Sequence, residues 1–176
     1  AHQFHMTSAD AIADFLSEQG CTHAFGFIGG ANLVLFHAVA KRMNMVCVQH
    51  EQAAAMAAAA HFQMCGRIAP VLLTAGAGCM NSLTGVMSAN MNSIPLFILS
   101  GNEKSIMFST TSDRCIGFQG FNPVDVVGSF TKVVVSADNP LGAVLGAKGL
   151  YAKALEHRQG PVWLDVPQDI ASQEMK

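Results

Sequence analysis

Short, continuous runs of apolar residues alternate along this chain with longer helix-forming stretches, and no other feature restricts the possible folds so tightly. The runs fall at 23–27, 45–48, 71–74, 96–100, 132–135 and 162–166. Thr7 or Ser8 can cap a first helix through Ser17, in which Ala11, Ile12, Phe15 and Leu16 are spaced as one apolar face. Gly20 ends it, and Leu33, Val34, Phe36, His37 and Val39 predict a second helix after the Gly29-Gly30 pair. Further helices are predicted over 51–64, 81–91 and 141–157. Strands that are apolar throughout must be buried on both faces, and parallel neighbours need crossover connections of helical length. The pattern predicts an α/β, doubly wound domain with a mainly parallel sheet of about six strands and helices on both faces.

Ligands of such sheets bind outside the carboxyl ends of the strands, so the turns after Phe27, Val48, Thr74 and Ser100 form the functional rim. Glu51 stands on that rim, immediately before the alanine-rich run 53–60 that strongly favours helix. Two effects oppose each other there: the helix dipole favours the carboxylate, whereas burial favours the protonated acid and would let Glu51 share a proton. The residues alone also allow Glu51 to be a simple first-turn charge. The alanines fit close approach of another helix, within the domain or across an interface. Thr74-Ala75-Gly76-Ala77-Gly78 follows a buried strand and precedes a helix, where backbone amides can face a ligand. It fits a dinucleotide fingerprint poorly, because Asn81 occupies the place of the third glycine and no acid follows about 20 residues on. The stretch 102–120 is long for a loop in a compact domain, and such loops often carry function.

Charged residues make up 12% of the chain, about half the usual share of roughly 25%, and there are ten methionines. So little charge cannot cover a monomer's surface, which predicts apolar faces covered by another domain or subunit. A net charge of −2 without charge runs excludes nucleic acid and anionic membrane as partners. The apolar runs are far shorter than the roughly 20 residues of a membrane span. Five cysteines without a Cys-x-x-Cys pair predict reduced thiols in a cytoplasmic protein. His23, His37, His50, His61 and His157 pair with no carboxylate or thiol at metal-ligand spacing, so no metal site is predicted, though His50 adjoins Glu51.

Taken in order, Ala9-Asp10-Ala11-Ile12 with Gly20, Phe25-Gly26-Phe27-Ile28-Gly29-Gly30, Gln49-His50-Glu51-Gln52-Ala53-Ala54, Thr74-Ala75-Gly76-Ala77-Gly78 with Asn81, Asn92-Ser93-Ile94-Pro95-Leu96, Gly117-Phe118-Gln119, and Gly160-Pro161-Val162 with Asp165-Val166-Pro167 resemble a known domain. It is the amino-terminal, pyrimidine-binding domain of thiamine-diphosphate-dependent enzymes, in the acetolactate-synthase-like branch that includes 2-oxo acid decarboxylases. The likeness runs from about residue 7 to residue 170. It implies that Glu51 hydrogen-bonds N1′ of the cofactor's aminopyrimidine and controls its tautomer, while the cofactor carries the decarboxylation chemistry. It further implies that Ile28 and Gly29 lie near the pyrimidine, that Thr74, Gly76, Gly78 and Asn81 line its pocket, and that Phe118 and Gln119 face the substrate side.

Three positions depart from the family pattern: Ile28 replaces a proline, Ala77 replaces the proline of Gly-Pro-Gly, and Gly120 follows Phe-Gln where a glutamate is usual. Ala75 stands near the place of a pocket histidine found in some decarboxylases, and paired histidines are missing from 105–120, which favours carboligation over simple aldehyde release. The Gly-Asp-Gly segment with asparagines that holds Mg²⁺ and the diphosphate in this family is not in the chain. The resemblance therefore implies half a site, completed by a diphosphate-binding domain or subunit of a homo- or hetero-oligomer, and an isolated chain without activity. Residues 1–5 are expected to be a tag remnant, 6–170 the pyrimidine-binding domain, and 171–176 a tail or the start of a linker. A non-catalytic assembly domain and a nucleotide-binding Rossmann-like module are the competing readings.

Overall fold

The structure, a computed structural model, describes residues 6–109 and 115–175. The predicted tag remnant lies outside them, as does Lys176.

Six strands form one sheet: β1 (His23–Gly26), β2 (Asn44–Cys47), β3 (Val71–Leu73), β4 (Phe97–Asn102), β5 (Val133–Ser136) and β6 (Val162–Pro167). All pairings are parallel, in the order β2-β1-β3-β4-β6-β5. The sheet expected from the apolar runs is thus present and wholly parallel. Every residue of β3, β4 and β6 is buried, as strands covered on both faces must be.

One face is covered by α1 (Ser8–Glu18), α2 (Leu33–Ala40), α7 (Pro140–Leu155) and α8 (Gln168–Ser172), around Ile12, Leu16, Leu35, Phe97, Leu99, Leu150 and Leu164. The other carries α3 (Glu51–Cys65), α4 (Ala77–Asn81), α5 (Leu83–Met91) and α6 (Pro123–Val127), around Ala54, Ala58, Leu73, Val86, Ile98 and Trp163. Local chemistry sets the helix starts. Thr7 and Asp10 form a reciprocal capping box before α1, and the Asn139 side chain with Pro140 opens α7. Arg42 ties α1 to α2 by pairing with both Asp10 and Asp14. The alanine run of α3 has an internal partner: a Cβ on Gly85 of α5 would lie 2.6 Å from Cβ of Ala55, so small residues let these helices nearly touch.

The helix predicted over 81–91 appears as α5 from Leu83, preceded by the separate short α4 that ends at Asn81, and at the junction both the N–H and the hydroxyl of Ser82 donate to the Cys79 carbonyl, at 3.0 and 2.7 Å. The short helices α6 and α8 and a 3-10 turn at Ser105–Ser109 occupy stretches expected to be irregular. At the carboxyl end, α8 carries the chain across residue 170, and Met175 N–H donates to the Met6 carbonyl at 2.8 Å, closing the end of the fold on its beginning.

Exposed apolar side chains occur on both faces, among them Met56, Met64, Met87 and Met91 of α3 and α5, between 43% and 86% exposed, and Leu141 and Leu145 of α7. No helix among the described residues is long and apolar enough to cross a membrane.

Candidate functional site

The strands β1 and β3 lie side by side, yet the chain leaves β1 toward one face of the sheet and β3 toward the other. Such a reversal opens a crevice at the carboxyl ends of the two strands. Its first wall is the turn after β1, where Gly29 N–H donates to Asn32 Oδ1 at 2.8 Å and Asn32 Nδ2 donates to the Phe27 carbonyl at 3.0 Å. The second wall is the turn after β3. The two walls touch, since a Cβ on Gly29 would overlap the Thr74 side chain. Gly76 has φ 67° and ψ −131°, a conformation open in practice only to glycine, and a Cβ there would lie 2.6 Å from the Gln119 carbonyl oxygen.

A third turn brings Glu51. His50 is extended at φ −151° and caps α3, its Nδ1 accepting from Gln52 N–H at 3.3 Å, so Glu51 becomes the first helical residue. That assigns His50 a capping role. Glu51 is only 7% exposed. Its Oε2 accepts from Asn81 Nδ2 at 3.0 Å, while Oε1 accepts no hydrogen bond from the described residues. Gly78 keeps the space beside Oε1 open: a Cβ there would sit 3.1 Å from Oε1 and 2.7 Å from Thr74 Cγ2. In the same crevice the Thr74 hydroxyl is buried and has no hydrogen-bond partner among the described residues. A buried hydroxyl left unpaired costs about 1–3 kcal/mol.

Of the residues singled out in the sequence, Gly29, Glu51, Thr74, Gly76, Gly78 and Asn81 therefore converge. Ile28 stands at the rim, 46% exposed. Phe118 is 94% exposed, whereas Gln119 presents its main chain to Gly76 and donates its N–H to Glu103 Oε1 at 3.3 Å. Residues 110–114 of the predicted functional loop lie outside the described residues. The remaining histidines take other positions, with His23 and His61 at 5.3 Å between ring centroids. Among the described residues no group of three His, Cys, Asp or Glu could hold a metal ion.

Sequence reading gave no role to a buried polar row beside the crevice. In the register of the sheet, Asp165 of β6 faces Ser100 of β4 and Ser136 of β5. Ser100 Oγ donates to Asp165 Oδ1 at 2.5 Å and Asn102 Nδ2 to Oδ2 at 2.8 Å, with Ser136 Oγ at 3.4 Å, while Trp163 Nε1 donates to Ser100 Oγ at 2.7 Å. Burial pushes the Asp165 carboxyl up to about 6, and the hydrogen bonds from Ser100, Asn102 and Ser136 hold it from rising further. The thiol of Cys79, which donates to the Thr74 carbonyl at 2.7 Å, is held well above its ordinary range by burial and by the charge of Asp165, with Glu51 adding to the effect. It is thus a packed, neutral thiol, unsuited to nucleophilic work. The signal for this row was one acid inside an otherwise apolar strand, since a buried charge is the unusual observation.

A carboxylate at a helix start, a crevice at the strand reversal and a glycine-lined opening beside a free carboxylate oxygen define a cofactor-binding α/β domain. The order of the sheet departs from that of dinucleotide-binding domains, and Asn81, at the place of their third glycine, is engaged by Glu51. Residues 6–121 match the family described as thiamine pyrophosphate enzyme, N-terminal TPP binding domain, and the chain belongs to that family.

Its relatives include the acetolactate synthase isozyme 3 large subunit of Escherichia coli (strain K12), 34% identical over 172 residues that cover 94% of this chain and 28% of that protein. The acetolactate synthase large subunit of Buchnera aphidicola subsp. Acyrthosiphon pisum is 30% identical over 178 residues, 97% of this chain and 29% of that protein. That of Corynebacterium glutamicum is 30% identical over 175 residues, 97% of this chain and 27% of the relative. The chain thus spans less than a third of the length of these relatives.

Proposed function

We propose that this chain forms the aminopyrimidine-binding half of a thiamine-diphosphate site in a larger enzyme that acts on 2-oxo acids by decarboxylation, carboligation or both, as acetolactate synthases do. The observation that carries the proposal is the pairing of a nearly buried carboxylate, one oxygen fixed by Asn81 and the other unpaired, with an opening that a single methyl group on Gly78 would fill.

The residues fit the group. Glu51 Oε1 is placed to hold a proton shared with N1′ of the aminopyrimidine, and Asn81 keeps Oε2 out of that exchange by occupying it. The Thr74 hydroxyl, unpaired among the described residues, can serve a polar ring edge. Gly78 leaves the space beside Oε1 open for a flat ring, Gly29 and Gly76 let the Thr74 side chain and the Gln119 carbonyl close in around it, and Ile28 borders the opening at the rim. When bound, the cofactor supplies a nucleophilic thiazolium carbon and a sink for the electron pair that departing carbon dioxide leaves behind. Phe118 and Gln119 are assigned to the substrate side, and Ala75 offers no side-chain acid for protonating an intermediate, which favours carboligation.

The diphosphate and Mg²⁺ are assigned to another domain or subunit. The exposed methionines of α3 and α5 offer a complementary domain or a second copy an apolar surface. Residues 6–170 are proposed as the pyrimidine-binding unit.

The test is carbon dioxide release from 2-oxo acids by the assembly of this domain with its diphosphate-binding complement. Glu51→Gln should lower turnover by about 10²–10⁴ with little change in folding, the range expected when a proton-transfer group is removed. Full activity of Glu51→Gln would refute the role of Glu51. Binding of NAD without any response to thiamine diphosphate would replace the proposal with the nucleotide-binding reading.

A further inference from the structure

The loop between β4 and α6 has to stay against the Gly76 turn, yet among its described residues Gly117, Phe118 and Gln119 are exposed and the longest element is the 3-10 turn at Ser105–Ser109. Glu103 Oε1 accepts from Gln119 N–H at 3.3 Å, but the buried anchor beneath the segment is Asn102. Asn102, fully buried at the end of β4, uses both hydrogens of its amide nitrogen: one reaches Asp165 Oδ2 at 2.8 Å and the other the Phe121 carbonyl at 3.0 Å. Its oxygen accepts from Glu103 N–H at 2.9 Å. From Phe121 the connection runs back through a tight bridge in which the amides and carbonyls of Ile116 and Gly120 exchange hydrogen bonds at 3.1 and 2.7 Å. Between them Gln119 rests its carbonyl against Gly76.

An asparagine amide is symmetrical in shape but not in polarity, so a neighbour that only accepts fixes which way it faces. The Asp165 carboxylate is such a neighbour. It is fully buried, and its Oδ1 is held by Ser100, whose oxygen is in turn held by Trp163. With an amide in place of the carboxylate, keeping an oxygen toward Asn102 sets the new NH₂ against Ser100 Oγ, whose proton then loses its acceptor, while the reverse orientation sets donor against donor at Asn102 or turns Asn102 over. Turning over sets its NH₂ against Glu103 N–H and its oxygen against the Phe121 carbonyl.

We infer that Asp165 is a positioning residue: acting through Asn102, it fixes the segment 116–121 against the Gly76 turn and so shapes the substrate side of the Glu51 crevice. The functional half of this statement rests on the proposed thiamine-diphosphate site; the structural half does not. The groups facing the Asp165 carboxylate are the neutral Ser100 and Asn102 from β4 and Ser136 from β5, with the neutral Cys79 thiol contributing from α4. The start of the same loop is held separately, by Asp169 of α8, which accepts from Ser105 N–H at 2.9 Å and Ser105 Oγ at 2.6 Å. Nature has thus provided an internal control.

The experiment compares Asp165→Asn, Asn102→Ala, their double variant and Asp169→Asn in the assembled enzyme, first without cofactor by amide hydrogen exchange. Exchange of residues 116–121 should quicken about tenfold in Asp165→Asn and Asn102→Ala and stay unchanged in Asp169→Asn. The double variant should be no worse than Asn102→Ala alone, because both changes break one linkage. With thiamine diphosphate present, KM for the 2-oxo acid should rise about tenfold while kcat moves by less than about twofold. Should Asp165→Asn fail to fold, Asn102→Ala carries the same comparison. Unchanged exchange at 116–121, or additive effects in the double variant, overturns the inference. So does quickened exchange accompanied by a fall in kcat with KM unaltered. Loss of the functional reading alone would appear differently, as quickened exchange in an assembly whose turnover ignores Glu51→Gln.

Discussion

A methyl group placed on Gly78 tests the opening beside Glu51 without touching a charge. Gly78 is the second residue of the short α4, and exchanging glycine for alanine within a helix stabilises by roughly 0.5–1 kcal/mol. Here the new Cβ would lie 2.7 Å from Thr74 Cγ2. Thr74 is β-branched and pressed by Gly29, so it has little freedom to turn aside. Overpacking of this kind costs about 1–3 kcal/mol. The two effects leave Gly78→Ala less stable by about 0–2.5 kcal/mol, and a melting temperature lower by no more than about 10 °C in a chain of this size. Function should suffer far more than folding. The methyl would stand 3.1 Å from Glu51 Oε1, in the space assigned to the aminopyrimidine. Losing even about 1.4 kcal/mol of cofactor interaction weakens binding tenfold. Thermal unfolding followed by circular dichroism gives the first quantity, and calorimetric titration of the assembled enzyme with thiamine diphosphate and Mg²⁺ gives the second. A Gly78→Ala enzyme that loses stability as calculated but binds cofactor with wild-type affinity would place the cofactor elsewhere and refute the reasoning.

Two more results follow from the same geometry. Asn81→Ala removes the donor to Glu51 Oε2, a hydrogen bond to an ionisable and nearly buried group, and should destabilise by about 1.5–3 kcal/mol and lower turnover of the assembled enzyme; unchanged stability and turnover would show that Asn81 does not hold Glu51 in place. The carboxyl of Asp165 is raised from 3.8 to about 6 on folding, so the folded chain binds this proton more tightly than the unfolded chain does. The associated stabilisation is complete below about pH 4 and is lost as pH rises through about 6, by an amount on the order of 3 kcal/mol. Denaturant unfolding of wild type and Asp165→Asn between pH 4 and 7 measures the difference, and parallel pH dependences would contradict it.

What the sequence disclosed and what it hid follow from the range of the interactions involved. The strands were legible because residues such as Val71–Leu73 and Val162–Leu164 are apolar throughout, a local property that double-sided burial requires. Glu51 was legible as a helix start because the alanines behind it favour helix. Its setting was not: Asn81 reaches it across 30 residues, and nothing near Asn81 announces the contact. Strand β4 runs two residues beyond its apolar stretch for a similar reason. Asn102 looks like the beginning of a loop until Asp165, more than 60 residues away, supplies the acceptor that lets a polar side chain stay buried there. The junction of α4 and α5 at Ser82 was hidden at short range, since a serine hydroxyl can serve or interrupt a helix, and here it donates to the Cys79 carbonyl.

Trp163 is the only tryptophan of the chain, it is wholly buried, and its indole N–H is committed to Ser100. Its near-ultraviolet emission is therefore a built-in reporter placed one hydroxyl away from Asp165. Without any added label, the colour and intensity of that light register whether the row from Ser100 to Asn102 is intact, so each rearrangement beneath the crevice has an optical readout of its own.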